Sequence, residues 1–97
     1  MPVNIYDDDT ATSIDFICDD EWSMPRQIET FEAWLLKKGT QLKSGNYVAD
    51  IGYSPREGAS GGGAVLSIKA MAIMVQVGIV LMLSEYPNFP EDYSREV

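Results

Sequence analysis

Four glycines fall within six positions in GASGGGAVLS, residues 58–67, directly ahead of a long apolar segment. A loop that cradles phosphate would sit in such a place, with backbone N–H groups and a helix N-terminus turned toward the anion. A P-loop needs Gly, four residues, then Gly-Lys-Ser or Gly-Lys-Thr. Gly58 and Gly63 have that spacing, but Ala64 follows where the lysine belongs. The dinucleotide fingerprint fails as well: Gly61 and Gly63 begin it, and Leu66 stands where its third glycine should be. The run Gly61, Gly62 and Gly63 therefore reads as a hinge or a partner-contacting loop. A small-molecule ligand is not expected; a small domain binding a ligand through this loop is one alternative.

Catalytic side chains are scarce. The chain has no histidine, which removes the commonest acid–base group and metal ligand, and its one thiol, Cys18, follows apolar Phe16 and Ile17 and reads as a small buried side chain. An enzyme is not expected, and neither a cofactor nor a metal. Carboxylates are the remaining chemistry. Asp7, Asp8 and Asp9 form one run; Asp19, Asp20 and Glu21, followed by Trp22, form another. Both fall at expected strand ends, where paired acids can flank a sugar or hold a divalent cation. Neither run alternates with other residues around a central glycine as a calcium loop requires. They read as solvated loops or as a protein-binding patch. Tyr86, Phe89 and Tyr93 are interleaved with Glu85, Glu91 and Asp92 in the same manner as Trp22 with its acids. Aromatic anchors ringed by charge are what interfaces use for binding energy and steering. The alternative is that Trp22 staples the first helix to the sheet and Phe89 covers the core.

Charge is segregated. Fifteen acidic residues face seven basic ones, for a net charge of −8, and the nets over residues 1–21, 22–69 and 70–97 are −7, +2 and −3. Negative ends argue against nucleic acid, whose affinity comes from lysine and arginine on phosphates, and name a basic protein as the natural complement. A lone cysteine suits a reducing compartment, and MPVNIYDDDT lacks the features of a secretion signal, so a cytoplasmic location is expected. The uncharged stretch 70–83 is shorter than the ~18–20 residues a membrane span needs, so no membrane association is expected.

The elements that must position these groups follow from periodicity. TSIDFIC, residues 12–18, alternates Ile14, Phe16 and Cys18 against Ser13, Asp15 and Ile17, and VNIY, residues 3–6, can pair with it as a hairpin. MPRQIETFEAWLLKK predicts a helix with Pro25 at its first turn and Gly39 as its stop. Ile28, Phe31 and Leu35 form its core stripe, which Trp34 and Leu36 widen; Trp34 reads as core. Its early Glu29 and Glu32 and late Lys37 and Lys38 agree with the helix dipole. NYVADIGYSP, residues 46–55, predicts a strand with Tyr47, Ala49, Ile51 and Tyr53 on one face. Ser67 predicts the N-cap of a second helix running to about Val77, with Ile68, Met71, Met74 and Val75 on one face and Gly78 as its stop. IVLMLSEY, residues 79–86, reads as an interior strand, and residues 86–97 as an irregular tail. One domain spanning 1–97 is expected, an α/β (alternatively α+β) two-layer sandwich of about four strands with two helices on one face.

A small acidic chain of this kind, with the DDEW cluster and the aromatic-acidic tail, resembles the bacterial immunity proteins that neutralise contact-dependent or polymorphic toxins. The resemblance rests on general character, so it transfers no site residue by residue. It implies a non-enzymatic inhibitor that binds a toxic nuclease domain, with carboxylates standing in for nucleic-acid phosphates. The expected partner surface is Asp7, Asp8, Asp9, Asp19, Asp20, Glu21 and Trp22, with Tyr86 and Glu91. An anti-defence protein that imitates DNA charge is the other alternative, and the mildly basic middle speaks against it.

Overall fold

The computed structural model describes residues 2–87. The chain runs β1 (Val3–Asp7), β2 (Thr12–Ile17), α1 (Met24–Lys37), a 3-10 turn at Gly39–Gln41, β3 (Tyr47–Tyr53), α2 (Ile68–Val77) and β4 (Ile79–Glu85). The strands form one mixed sheet in the order β2-β1-β3-β4. β1 is antiparallel to both β2 and β3, and β4 is parallel to β3, so β2, β3 and β4 all point the same way. Both crossovers, through α1 and through α2, therefore step in one direction across the sheet. Crossovers of one hand that step in one direction put their helices on one face. The expected α/β two-layer domain is the result, and among the described residues the opposite sheet face carries no helix.

The core lies between the sheet and that helix layer. Val3 and Ile5 of β1 face Ile51 and Ala49 of β3, and Tyr47 and Ile79 complete the sheet's inner face. Phe31, Trp34, Leu35 and Ile28 come from α1, with the Phe31 and Trp34 rings stacked at 6.3 Å; Ala70, Met74 and Val77 come from α2. The Ser67 hydroxyl caps α2 by accepting the Ala70 N–H at 3.0 Å, and Gly78 ends it at φ +97°, as the sequence predicts.

Four sequence-based expectations give way. Leu36 does not widen the α1 stripe; it is exposed. On α2, only Met74 of the expected face is buried, while Ile68 and Val75 are 82% and 83% exposed and Met71 is also exposed. A helix apolar nearly all round does not reveal which face docks, and the small Ala70 allows the closest approach. In β2 the faces are reversed: Phe16 is exposed, whereas Asp15 and Ile17 turn to the helices. Asp15 and Ile17 pair with the buried Ile5 and Val3, and a bulge opposite Ile5 and Tyr6 breaks the alternation at Ile14. Finally, β4 is not interior. It is an edge strand, with Val80, Met82 and Leu83 exposed.

Candidate functional site

The C-terminal ends of β2, β3 and β4 and the N-termini of α1 and α2 share one end of the sheet, which is where open α/β sheets place their binding crevices. Asp19, Asp20, Glu21 and Trp22 lie there, in the connection from β2 to α1. Cys18 turns the chain out of β2 at φ +60°, and the Glu21 N–H closes the turn on the Cys18 carbonyl at 3.3 Å. The segment is then stitched to the end of β3. The Ser54 N–H donates to the Trp22 carbonyl at 2.9 Å, and Ser23 bridges Ser54. Gln27, fully buried on α1, donates from Nε2 to the carbonyls of both Glu21 and Gly52, at 2.7 Å each. Its Oε1 and the Ser54 hydroxyl are buried without a hydrogen-bond partner among the described residues.

Trp22 packs edge-to-face on Tyr86, with ring centroids 5.8 Å apart and planes at 87°, a geometry aromatic quadrupoles favour. Tyr86 follows β4, its N–H donating to the Tyr53 carbonyl at 2.9 Å, and its ring lies over Gly52, where an added Cβ would come within 2.8 Å of ring carbon Cε2. Gly52 is thus the gap in β3 that lets Tyr86 reach Trp22. Asp20 lies beside Trp22, and Asp19, Asp20 and Glu85 are all exposed. Glu21 is half-buried, its carboxylate accepting the Ser23 N–H at 3.2 Å and lying 3.9 Å from Arg26 Nε, an exposed pair of small energetic consequence. A shallow cleft of about 360 Å³ opens beside them, between Asp20, Glu21 and Trp22 on one wall and Ser54, Pro55 and Arg56 on the other.

Asp7, Asp8 and Asp9 are elsewhere. They form the β1–β2 hairpin turn at the opposite end of the sheet, separated from Trp22 by about the length of β3, roughly 20 Å at ~3.4 Å per residue. Asp7 Oδ1 accepts the N–H groups of Asp9 and Thr10 at 2.9 and 3.3 Å, Asn46 donates its amide to Asp9 at 3.2 Å, and the Asp8 N–H donates to the Asn46 carbonyl at 2.8 Å. This cluster builds a turn. The single surface expected from the sequence therefore divides, with Asp19, Asp20, Glu21, Trp22 and Tyr86 together and the aspartate run apart. Glu91, Phe89, Asp92 and Tyr93 lie outside the described residues.

The glycine loop occupies the Trp22 end of the sheet but turns toward α1. Gly61, Gly62 and Gly63 all have positive φ, and Arg56 donates to the Gly61 carbonyl at 2.9 Å. Between this loop and Pro25, Ile28, Glu29 and Glu32 of α1 lies an open groove of about 640 Å³. Glu32 does not serve the dipole of its own helix. Its carboxylate accepts the Ser67 N–H at 2.5 Å and so sits at the N-terminus of α2. A phosphate approaching that terminus meets Glu32 and Glu29, which is the physical argument for a contact loop rather than a cradle.

Cys18 is half-buried. Burial pushes its thiol above 9.0, against a hydrogen bond with Thr30 that lowers it, and the charges of Glu21 and Asp19 raise it further. A thiol so held is a poor nucleophile. Among the described residues, no group of three acids, cysteines or histidines is placed to hold a metal ion, and no helix is long and apolar enough to cross a membrane. Sequence reasoning misses Gln27 and Gly52. A lone glutamine in an amphipathic helix and a glycine in a strand carry no sign of their partners. Comparison with protein-family models, curated proteins and solved structures finds no match to the chain.

Proposed function

We propose that this chain is a non-enzymatic inhibitor that binds a basic protein, of the class of nuclease toxin domains that bacterial immunity proteins neutralise, through its Trp22–Tyr86 end. The observation that carries the reading is the edge-to-face pair of Trp22 and Tyr86 beside the carboxylates of Asp20 and Glu21, with exposed Asp19 and Glu85 next to them in the chain. A rigid aromatic anchor supplies binding energy at small entropic cost, and the carboxylates steer a cationic partner into register. The lone cysteine suits action in the reducing cytoplasm.

The test is an affinity capture with the tagged chain, followed by titration of the captured protein at low and high salt. A basic partner whose association slows as salt screens charges beyond ~10 Å supports the reading. Charge reversal at Asp19 and Asp20 should weaken binding more than tenfold, whereas reversal at Asp8, at the far end of the sheet, should change it less than twofold. A partner bound equally well by both variants would sink the reading.

A further inference from the structure

β4 carries the composition of a buried strand in the position of an edge strand. Val80 is 63% exposed and Leu83 52%, and Met82 is exposed beside them. Two hydrogen bonds at the ends of its ladder with β3 fix which backbone groups are used. Tyr47 N–H donates to the Gly78 carbonyl, and Tyr86 N–H to the Tyr53 carbonyl. In a parallel ladder alternate residues turn both groups to the neighbour, so residues 78, 80, 82, 84 and 86 face β3. The N–H and C=O groups of Ile79, Leu81 and Leu83 then point outward from the sheet.

Edge strands are ordinarily blunted by charge, proline or a bulge. The other edge, β2, has a bulge and Asp15. Residues 79–84 have neither charge nor proline. The helix above continues the same surface. On α2, Ile73 and Gln76 line a groove with Thr40, Leu42 and Ser44, the side toward the turn after α1. Ile68, Met71 and Val75, spaced three and four apart, lie on the flank away from it, on the β4 side.

We propose that this edge pairs with the same edge of a second copy of the chain, antiparallel about a two-fold axis at Leu81. Leu81 then meets Leu81 of the other copy, and Ile79 meets Leu83, so every outward-facing backbone group of these three residues finds a partner. On the uncovered sheet face Val80 meets Met82, and α2 approaches α2 through Ile68, Met71 and Val75. Neutrality makes this the surface for a second copy: two chains of net charge −8 repel each other, and the uncharged residues 70–84 are where that repulsion is least. Self-pairing about a two-fold is also the commonest closed symmetry for an isologous patch. The chain's own residues 88–97 suit the edge less well, because they bring Pro90, Glu91, Asp92, Arg95 and Glu96 to an uncharged strand. This surface is distinct from the Trp22 end, so it stands or falls independently of the proposed partner.

The test is sedimentation equilibrium of the full chain. The expected mass is twice 10.8 kDa, converted to monomer by Leu83→Lys, with the helical signal retained, and unaffected by Phe16→Lys on the β2 edge. A second measurement covers the case in which Leu83→Lys fails to fold. In a Cys18→Ser background, Leu81→Cys should form a covalent dimer on oxidation, because directly opposed residues lie within disulfide reach. A full chain that sediments as monomer throughout overturns the proposal, as does a dimer dissolved by Phe16→Lys but not by Leu83→Lys, or a Leu81→Cys protein that does not cross-link.

Discussion

The indole Nε1–H of Trp34 donates to Asp15 Oδ2 at 2.9 Å, joining the buried face of α1 to the edge strand β2. Lys38 Nζ lies 3.3 Å from the same oxygen. Asp15 is thus the acid that β2 turns inward, and it accounts for Phe16 facing out.

The bond to Trp34, chiefly, with Lys38 and the Phe16 N–H, holds the Asp15 carboxyl below its ordinary 3.8, against a smaller opposing effect of burial. A folded-state pKa below the unfolded one adds stability that is complete above about pH 4 and is lost as pH falls through the folded value. Asp15→Ala should cost about 1–3 kcal/mol, since it leaves a buried indole donor unpaired. In acid titrations followed by thermal melting, the gap between wild type and variant should be constant near neutrality and close below about pH 4. A gap that widens in acid would contradict the assignment.

Gly78 and Gly58 both adopt positive φ, +97° and +74°, but only one is hemmed in. An alanine Cβ at position 78 would collide with the Gly45 carbonyl oxygen, whereas among the described residues nothing lies within 4 Å of one at position 58. Gly58→Ala should cost only the left-handed strain of about 1 kcal/mol. Gly78→Ala adds a backbone clash and should cost about 3 kcal/mol or more, a fall of roughly 12 °C or more in the thermal midpoint.

The difference between legible and illegible features follows from where the information resides. The Ser67 cap and the Gly78 stop depend on a few neighbouring residues, so a local pattern suffices to find them. The faces of β2 depend on a bulge and on Trp34, 19 residues further along the chain. The apolar density of β4 reports a tendency to be buried, not the neighbour that buries it, and an interior strand is the ordinary answer. In the candidate site, DDEW was legible as an acidic-aromatic cluster at a strand end. Its separation from the Asp7–Asp9 turn already follows from the expected hairpin, whereas its pairing with Tyr86 depends on strand order, which composition does not encode.

Gln27 should couple the fold to the site. Gln27→Leu keeps the volume but leaves the Glu21 and Gly52 carbonyls without their donor, costing about 1–3 kcal/mol of stability. Because one of those bonds anchors the segment bearing Asp20 to Trp22, amide exchange at Trp22 and Ser23 should quicken more than at Val48 or Ala49 in the middle of β3. Uniform quickening across both regions would mean that Gln27 supports the core alone.

Gly52→Ala separates the aromatic pair from the charges around it. The new methyl group meets the edge of the Tyr86 ring and lies 3.3 Å from the Pro2 carbonyl oxygen. The ring, a side chain at the end of the described chain, gives way more readily than the backbone of the paired strands. The fold should persist with a loss of about 1 kcal/mol, a typical single-site cost, while Tyr86 moves off Trp22. Tyr86→Ala removes the same contact without the clash. If the pair is the binding anchor, both variants lose affinity for a captured basic partner and keep its salt dependence, because Asp19, Asp20 and Glu21 are untouched. Loss of salt dependence with unchanged affinity at high salt would assign the binding energy to the acids and reduce the rings to packing.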